Sequence, residues 1–118
     1  MAAVHKPAGI EVSGNKFRTL ANALSQNLEA SILLDATIPQ PVHRLDYATT
    51  GIVLVGKTAS SIRALNKLFE EKKIVKTYYA ITIGNMKPNG RIETTIDGKP
   101  AQSDYKVMES VPSERFGT

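Results

Sequence analysis

Two stretches of the chain, about residues 20–30 and 59–71, carry apolar residues at the spacing of one helical face. The stripes consist of Leu20, Leu24 and Leu28 in the first stretch and of Ile62, Leu65 and Phe69 in the second. Each stretch follows a threonine, Thr19 or Thr58, whose hydroxyl can accept a hydrogen bond from the first turn of a helix. The pattern therefore predicts two amphipathic helices, each with its stripe facing the core.

Two other stretches have the patterns of β-strands. Residues 52–55 are a continuous apolar run, which predicts a strand covered on both faces and ended by Gly56. Residues 74–83 alternate between apolar and more polar positions. This alternation predicts a strand with one face in the core, and it places Tyr78 with Lys76 on the other face.

Turn and loop signals separate these elements. Asp97-Gly98 is a hairpin signal, which predicts a turn between residues 92–96 and a strand near residues 103–111. Loops are predicted at residues 5–14, in the connector that contains Pro39 and Pro41, and at residues 84–90. The order of elements predicts an α+β fold, with a mixed, largely antiparallel β-sheet and two helices.

The composition is that of a globular domain without a metal site. The chain has 118 residues, enough for one domain with its own core. It has no cysteine, so no thiolate site is expected, and its two histidines are too few for a histidine-based metal site unless carboxylates complete it. We find no apolar run near the roughly 20 residues that span a bilayer, and no signal-peptide core. These features predict a cytoplasmic protein without a membrane contact.

The charge favours a polyanionic partner. The formal net charge is +4, and Lys72, Lys73 and Lys76 fall within five positions. Basic clusters of this kind are common in proteins that bind nucleic acids. Many soluble proteins are equally basic, so the charge fits this class of partner without requiring it.

The chemically distinctive stretch is residues 43–51, HRLDYATTG, directly before the apolar run. If residues 43–46 are extended, Arg44 and Asp46 share one face of the backbone while His43 and Leu45 share the other. A guanidinium near a carboxylate favours its ionised form and orients it, and such a carboxylate can act as a nucleophile or a base. The same Arg-x-Asp pattern is also that of an ordinary salt bridge at a strand edge.

Four segments together resemble the RluA-type family of RNA pseudouridine synthases. They are residues 5–9 (HKPAG), 43–51 (HRLDYATTG), 76–80 (KTYYA) and 98–105 (GKPAQSDY). The corresponding family patterns are NKPxG, HRLDxxTSG, KxYxA and a strand with lysine, alanine and threonine. The segments follow the family order and span nearly the whole chain. The departures are mild, with His5 in place of asparagine and Thr50 in place of serine.

The resemblance implies a function and roles for named residues. Enzymes of this family isomerise uridine in ribosomal or transfer RNA to pseudouridine, without a cofactor or metal. Asp46 matches the catalytic aspartate, Arg44 the residue that fills the gap left by the extruded nucleotide, and Tyr78 the tyrosine against the target base. Whether the aspartate attacks the sugar, attacks the base or removes a sugar proton stays open. Candidate RNA-backbone contacts are Lys6, Lys72, Lys73 and Lys76.

The family also has a downstream motif of the form TGRxHQ, whose arginine pairs with the catalytic aspartate. The 118 residues do not contain it. We therefore expect residues 1–118 to be a truncated catalytic domain with little or no activity alone and with an exposed apolar surface that favours self-association. The competing hypothesis is a non-catalytic RNA-binding module of the same fold. A glycosidase is a weaker alternative, because no second carboxylate pairs convincingly with Asp46.

Overall fold

The computed structural model describes residues 1–115, which form two compact units. The first unit, Met1–Lys76, and the second, which begins at Thr77, are considered separately below. The first contains β1 (Ala2–Lys6), α1 (Leu20–Asn27), β2 (Ala36–Pro41), β3 (Gly51–Thr58) and α2 (Ala59–Glu70). The second contains β4 (Asn89–Ile96) and β5 (Lys99–Lys106). The α+β class with antiparallel strands and two helices is confirmed.

Strand β3 is the centre of the first unit. It pairs antiparallel with β1 on one side and with β2 on the other, so that the sheet order is β1-β3-β2. The predicted strand at residues 52–55 is confirmed, but it continues through Gly56 to Thr58. Val53 and Val55 are fully buried, whereas Ile52 on the other face is 55% exposed. The prediction that both faces are covered is confirmed only in part: the core cluster lies on the Val53 face, and on the other face Gly56 is buried beside Ile62 of α2 while Ile52 is exposed.

The loop predictions were wrong for β2 and for the last two residues of β1. Strand β1 ends at Lys6, inside the stretch assigned to the first loop, and β2 contains both Pro39 and Pro41. Proline has no backbone N–H to donate to a ladder, so within a sheet it is confined to edges and bulges. Strand β2 pairs with β3 alone, and its register shifts between Ala36 and Gln40. An edge strand with an irregular ladder can accommodate two prolines. The prediction of a loop from these prolines did not take this into account.

Both predicted helix caps are confirmed. The Thr19 hydroxyl accepts a hydrogen bond from the Asn22 amide at 3.2 Å, and α1 ends three residues before its predicted end. The Thr58 and Ser61 side chains form a reciprocal capping box at the start of α2, each accepting from the other's backbone amide at 3.1 Å. These bonds satisfy amides that have no partner within the helix.

The core lies between β3 and the elements that pack on its buried face. Its buried members are Val12, Leu20, Leu24, Leu45, Val53 and Val55. Helix α2 packs near Gly56, where an added Cβ would come within 3.1 Å of the Ile62 backbone. Glycine at this position permits the close approach of helix and strand. In α2 itself Leu65 is buried while Ile62 and Phe69 are partly buried, so the predicted stripe faces the unit.

The second unit contains the predicted hairpin. Asp97 and Gly98 have φ values of 51° and 76°, which is the geometry of a two-residue turn with both residues in the left-handed region. Strands β4 and β5 are paired from Asn89↔Lys106 to Ile96↔Lys99, so β5 begins four residues before its predicted start. The Arg91 Nε donates to the Asp104 carboxylate at 2.7 Å across the ladder.

The predicted strand at residues 74–83 is absent. Val75 and Ile81, which the alternation assigned to the core, are 92% and 102% exposed. Within residues 1–115 no strand pairs with this segment, and without a ladder an alternating sequence has no reason to be extended. Residues 113–115 have no strand or helix, as expected, and the rest of that predicted connection, residues 116–118, lies outside the described residues.

Candidate active site

The HRLD segment forms a loop that leaves β2 and enters β3 at Gly51. Along this loop the side chains alternate between partly or fully buried and exposed: His43 is half-buried, Arg44 exposed, Leu45 buried and Asp46 exposed. This is the alternation expected for an extended backbone. Arg44 and Asp46 therefore share the outward side of the loop, which is the arrangement that the spacing predicted.

His43 is held by two contacts. The Leu54 amide of β3 donates to His43 Nε2 at 2.9 Å. The imidazole ring stacks on Phe69 of α2, with ring centroids 4.8 Å apart and an angle of 27° between the planes. The side chain thus joins the start of the loop to both the central strand and a helix.

These surroundings favour a neutral imidazole. Burial lowers the pKa of His43 below its ordinary value of 6.5, a hydrogen bond with the Arg44 backbone partly opposes this, and the positive charge of Lys76 lowers the pKa further. A ring nitrogen that accepts from an amide carries no proton, so the other nitrogen, Nδ1, carries it. The burial of the ring and its hydrogen bond with Leu54 therefore both favour the neutral imidazole with the proton on Nδ1.

Leu45 is the second anchor. Its side chain is 8% exposed and belongs to the core cluster. Gly51, at the end of the loop, has a φ of 153°, and a Cβ added there would lie 3.3 Å from Leu45 Cδ1. The glycine of the HRLDYATTG segment thus leaves room for the leucine.

The carbonyl of Tyr47 is the third anchor. It accepts from the Gly9 amide at 2.8 Å and from Lys6 Nζ at 3.3 Å. The same ammonium group donates to the carbonyls of Pro7 and Ile10, each at 2.8 Å. The HKPAG segment therefore binds the backbone of the HRLD loop one residue after Asp46.

Lys6 itself is completely buried. Its three donated hydrogen bonds fill the donor capacity of an ammonium group. A side chain with no exposed surface and no spare donor does not reach a phosphate in this conformation. The RNA-backbone contact of Lys6 stays a prediction, and in this structure its ammonium group holds two loops together.

Asp46 lies between the second and third anchors with its side chain exposed. Its backbone carbonyl accepts from the Thr49 amide at 3.0 Å, which closes a turn of the loop. Within residues 1–115 its carboxylate forms no ion pair, so the salt bridge with Arg44 that the spacing also allowed is not present. The backbone around this carboxylate is fixed while the side chain itself is exposed.

The remaining candidates lie farther along the chain. Lys72, Lys73 and Lys76 are exposed in the segment after α2, and Lys73 pairs with Glu71 at 2.5 Å. Tyr78 belongs to the second unit, where it is 58% exposed in a segment without regular structure. Among residues 1–115 no group of histidine, cysteine, aspartate or glutamate side chains could hold a metal ion. None of the helices in this range is long and apolar enough to cross a membrane.

Sequence reasoning missed two anchors of this loop, His43 and Lys6. Residue type alone gave no signal for either, since lysine is mostly exposed and histidine is intermediate in burial. The signal that could have found them is the alternation of the loop, which places His43 on the same side as the buried Leu45. For Lys6, its position among glycine and proline offered exposed backbone carbonyls that need donors.

The fold and this loop define a class of protein, and comparison with known proteins names it. The family model described as RNA pseudouridylate synthase matches residues 1–117. The chain belongs to this family, as the resemblance of its four segments predicted.

Individual relatives agree with this assignment. The chain is 32% identical to ribosomal large subunit pseudouridine synthase D of Yersinia pestis, over 90% of the chain and 37% of the relative. It is 35% identical to the D enzyme of Buchnera aphidicola, over 89% of the chain and 38% of the relative. It is 30% identical to the C enzyme of Rickettsia conorii, over 98% of the chain and 43% of the relative. The chain thus spans well under half the length of these relatives. No solved structure matches it significantly.

Proposed function

We propose that residues 1–118 are the first portion of the catalytic domain of an RNA pseudouridine synthase, with Asp46 as the catalytic carboxylate. The observation that carries this proposal is the exposed side chain of Asp46 on a loop fixed at His43, Leu45 and Tyr47. Catalytic groups require this combination of an accessible functional atom and a held backbone. Membership of the family supplies the reaction class.

The reaction conserves all atoms of the nucleotide. The C1′–N1 bond of uridine breaks, the free uracil turns, and a C1′–C5 bond forms, while C5 loses its proton and N1 gains one. Asp46 would act at the sugar or at the base, and its exposed position is compatible with either mode of attack and with proton abstraction from the sugar. Metal and cofactor have no part in the proposed chemistry.

Arg44 and Tyr78 are proposed to handle the target nucleotide. Arg44 lies on the same outward side of the loop as Asp46, where it can occupy the space left by an extruded base. Extrusion costs a few kcal/mol of unstacking, and a side chain that fills the gap offsets part of that cost. Tyr78 is proposed to stack on the uracil, a contact typically worth about 1–3 kcal/mol.

The proposed partner is ribosomal RNA in the cytoplasm. The names of the relatives refer to the large ribosomal subunit, which favours ribosomal over transfer RNA as the substrate. Lys72, Lys73 and Lys76 are exposed and are proposed to contact the RNA backbone. Lys6 was predicted with them, and its buried ammonium group would have to leave its three carbonyl partners to contact a phosphate.

We further propose that the isolated chain has little or no activity and that it self-associates. In the second unit, apolar side chains are widely exposed, among them Tyr79 at 87% and Ile81 at 102%. Exposed apolar surface of this kind commonly marks a contact with another protein segment. Analytical ultracentrifugation of the chain over a range of concentrations measures this, and a monomer at all concentrations would refute self-association.

The decisive test of Asp46 is tritium release from C5-labelled uridine in ribosomal RNA by the full-length protein. We expect Asp46→Asn to abolish release, because an amide can neither attack nor remove a proton as a carboxylate does. Asp97→Asn is the matched control: Asp97 is an exposed aspartate in the hairpin turn, where asparagine is equally well accommodated. It should release tritium at the unmutated rate.

Three further results separate the alternatives. If Asp46→Asn releases tritium like the unmutated protein, Asp46 is not the catalytic residue. If the unmutated full-length protein binds RNA but releases none, the non-catalytic binding module is the correct function. Tyr78→Phe keeps the ring and removes the hydroxyl, so retained activity assigns Tyr78 to stacking and lost activity assigns it to proton transfer.

A further inference from the structure

The hydrogen bonds at the end of β2 depart from the usual antiparallel pattern. The Val42 amide donates to the Leu54 carbonyl at 3.1 Å, as in a hydrogen-bonded pair of residues. In such a pair the Leu54 amide would donate back to the Val42 carbonyl. It donates instead to Nε2 of the neighbouring His43, at 2.9 Å. The imidazole therefore takes the place of a strand carbonyl at the point where the chain leaves the sheet.

This replacement has a geometric consequence for the loop. A backbone carbonyl would keep the chain in the ladder, whereas a side-chain acceptor lets the backbone turn away from β3 while the ladder bond is kept. The stack on Phe69 fixes the plane of the ring, so the direction in which the chain leaves is defined by both β3 and α2. Three extended residues span at most about 10 Å, so the exit direction at His43 strongly affects where Asp46 lies.

We infer that His43 is a positioning residue for Asp46, acting through its Nε2 acceptor rather than by contact with RNA. This inference rests on the proposed function of Asp46 for its catalytic meaning. Leu45 and the Tyr47 carbonyl hold the loop beside Asp46, and His43 holds the end where it leaves the sheet. A misplacement of about 1 Å in a catalytic group can cost on the order of 100-fold in rate.

The structural part of the inference is tested on the chain by NMR, independently of activity. The ¹⁵N shifts of the His43 ring should show Nε2 unprotonated and Nδ1 protonated at neutral pH. His43→Phe keeps an aromatic ring against Phe69 but removes the acceptor, so hydrogen exchange of the Leu54 amide should accelerate. His43→Gln supplies a neutral acceptor at a similar distance and should restore part of the protection. His5→Gln, at the exposed histidine of β1, is the control and should change neither.

The catalytic part is tested by single-turnover tritium release by the full-length protein. We expect His43→Phe to lower the rate of the chemical step by about 10- to 100-fold with little change in RNA affinity, and His43→Gln to recover most of it. Equal losses in both variants would overturn the inference, as would unchanged Leu54 exchange in His43→Phe or a protonated Nε2 in the unmutated chain. If His43→Phe does not fold, the ¹⁵N shifts of the His43 ring and the behaviour of His43→Gln still test the inference. An inactive unmutated protein would instead refute the proposed function and leave the NMR results intact.

Discussion

The two units of the chain use their apolar residues in different ways. In the first unit Val53, Val55 and Leu24 are almost completely inaccessible to solvent, and α1 packs with them on one face of the sheet while α2 packs against Gly56 of β3. In the second unit none of the described residues is buried, and Ile92 and Ile96 of the hairpin are 48% and 59% exposed. The first unit is thus organised by a core, and the second by a turn and a ladder. A paired ladder by itself does not bury a core, which needs a further layer.

The largest expected effect of this difference is on stability. Leu24→Ala in the core should lower the free energy of unfolding by about 2–5 kcal/mol, because it removes buried methyl groups and leaves a cavity. Ile92→Ala in the hairpin should change it by no more than about 0.5 kcal/mol, because that side chain is half exposed. Urea unfolding of both variants measures the contrast. Comparable losses at the two positions would mean that the second unit has a core of its own.

The next effect concerns polar contacts, which are buried in one unit and exposed in the other. Lys6→Met removes three hydrogen bonds donated by a buried ammonium group and should destabilise the first unit by about 1–3 kcal/mol. Arg91→Met breaks the exposed pair with Asp104 and should have little effect, since solvent and salt screen such pairs. Thermal unfolding is a suitable measurement. A Lys6→Met protein as stable as the unmutated chain would contradict the anchoring role of the buried ammonium.

A smaller effect is expected at the hairpin turn. Gly98 has a φ of 76°, and alanine in that region costs about 1 kcal/mol. Gly98→Ala should therefore weaken the cross-strand NOEs between β4 and β5 while the amide shifts of β3 stay unchanged. Lys99→Ala, next to the turn, is the control and should preserve the NOEs. Loss of signals from β3 in the glycine variant would show that the units are not independent.

The smallest effect is a pH dependence that belongs to the first unit. Because the pKa of His43 is lowered in the fold, the unfolded chain binds more protons as the pH falls through the ordinary value of 6.5. The contribution of the neutral ring to stability is therefore complete above that value and declines below it. Urea unfolding between about pH 7.5 and about pH 5.5 should show this decline, and His43→Gln should reduce it. Parallel curves for the two proteins would contradict a neutral, buried imidazole.

Much of the local structure could be predicted because its causes lie within a few residues. The caps at Thr19 and Thr58 each act on an amide three residues away, and Asp97-Gly98 defines its turn without help from the rest of the chain. The strand at residues 52–55 was identifiable because its apolar run leaves few other options. The family and the candidate catalytic aspartate were likewise readable, since the HRLDYATTG segment is contiguous.

The errors share a different cause, which is that strands are defined by partners far along the chain. The prolines of β2 are acceptable only because that strand is an edge, and edge position is a property of the sheet order. Residues 74–83 have the alternation of a strand, yet within residues 1–115 no strand forms hydrogen bonds with them. Periodicity indicates which face of a strand a residue would occupy. It does not indicate whether the strand forms, because that depends on a pairing partner.

The sequence by itself therefore determined the helices, their caps, the hairpin turn, the family and the position of Asp46 next to a strong strand. Only the tertiary structure decided how that aspartate is held. It brings Lys6 to the Tyr47 carbonyl as a buried donor, and His43 to the Leu54 amide as an acceptor. The physical reason is that a side chain's hydrogen-bonding partner is whichever group the fold brings within about 3 Å, and here those groups lie 41 and 11 residues away in the sequence.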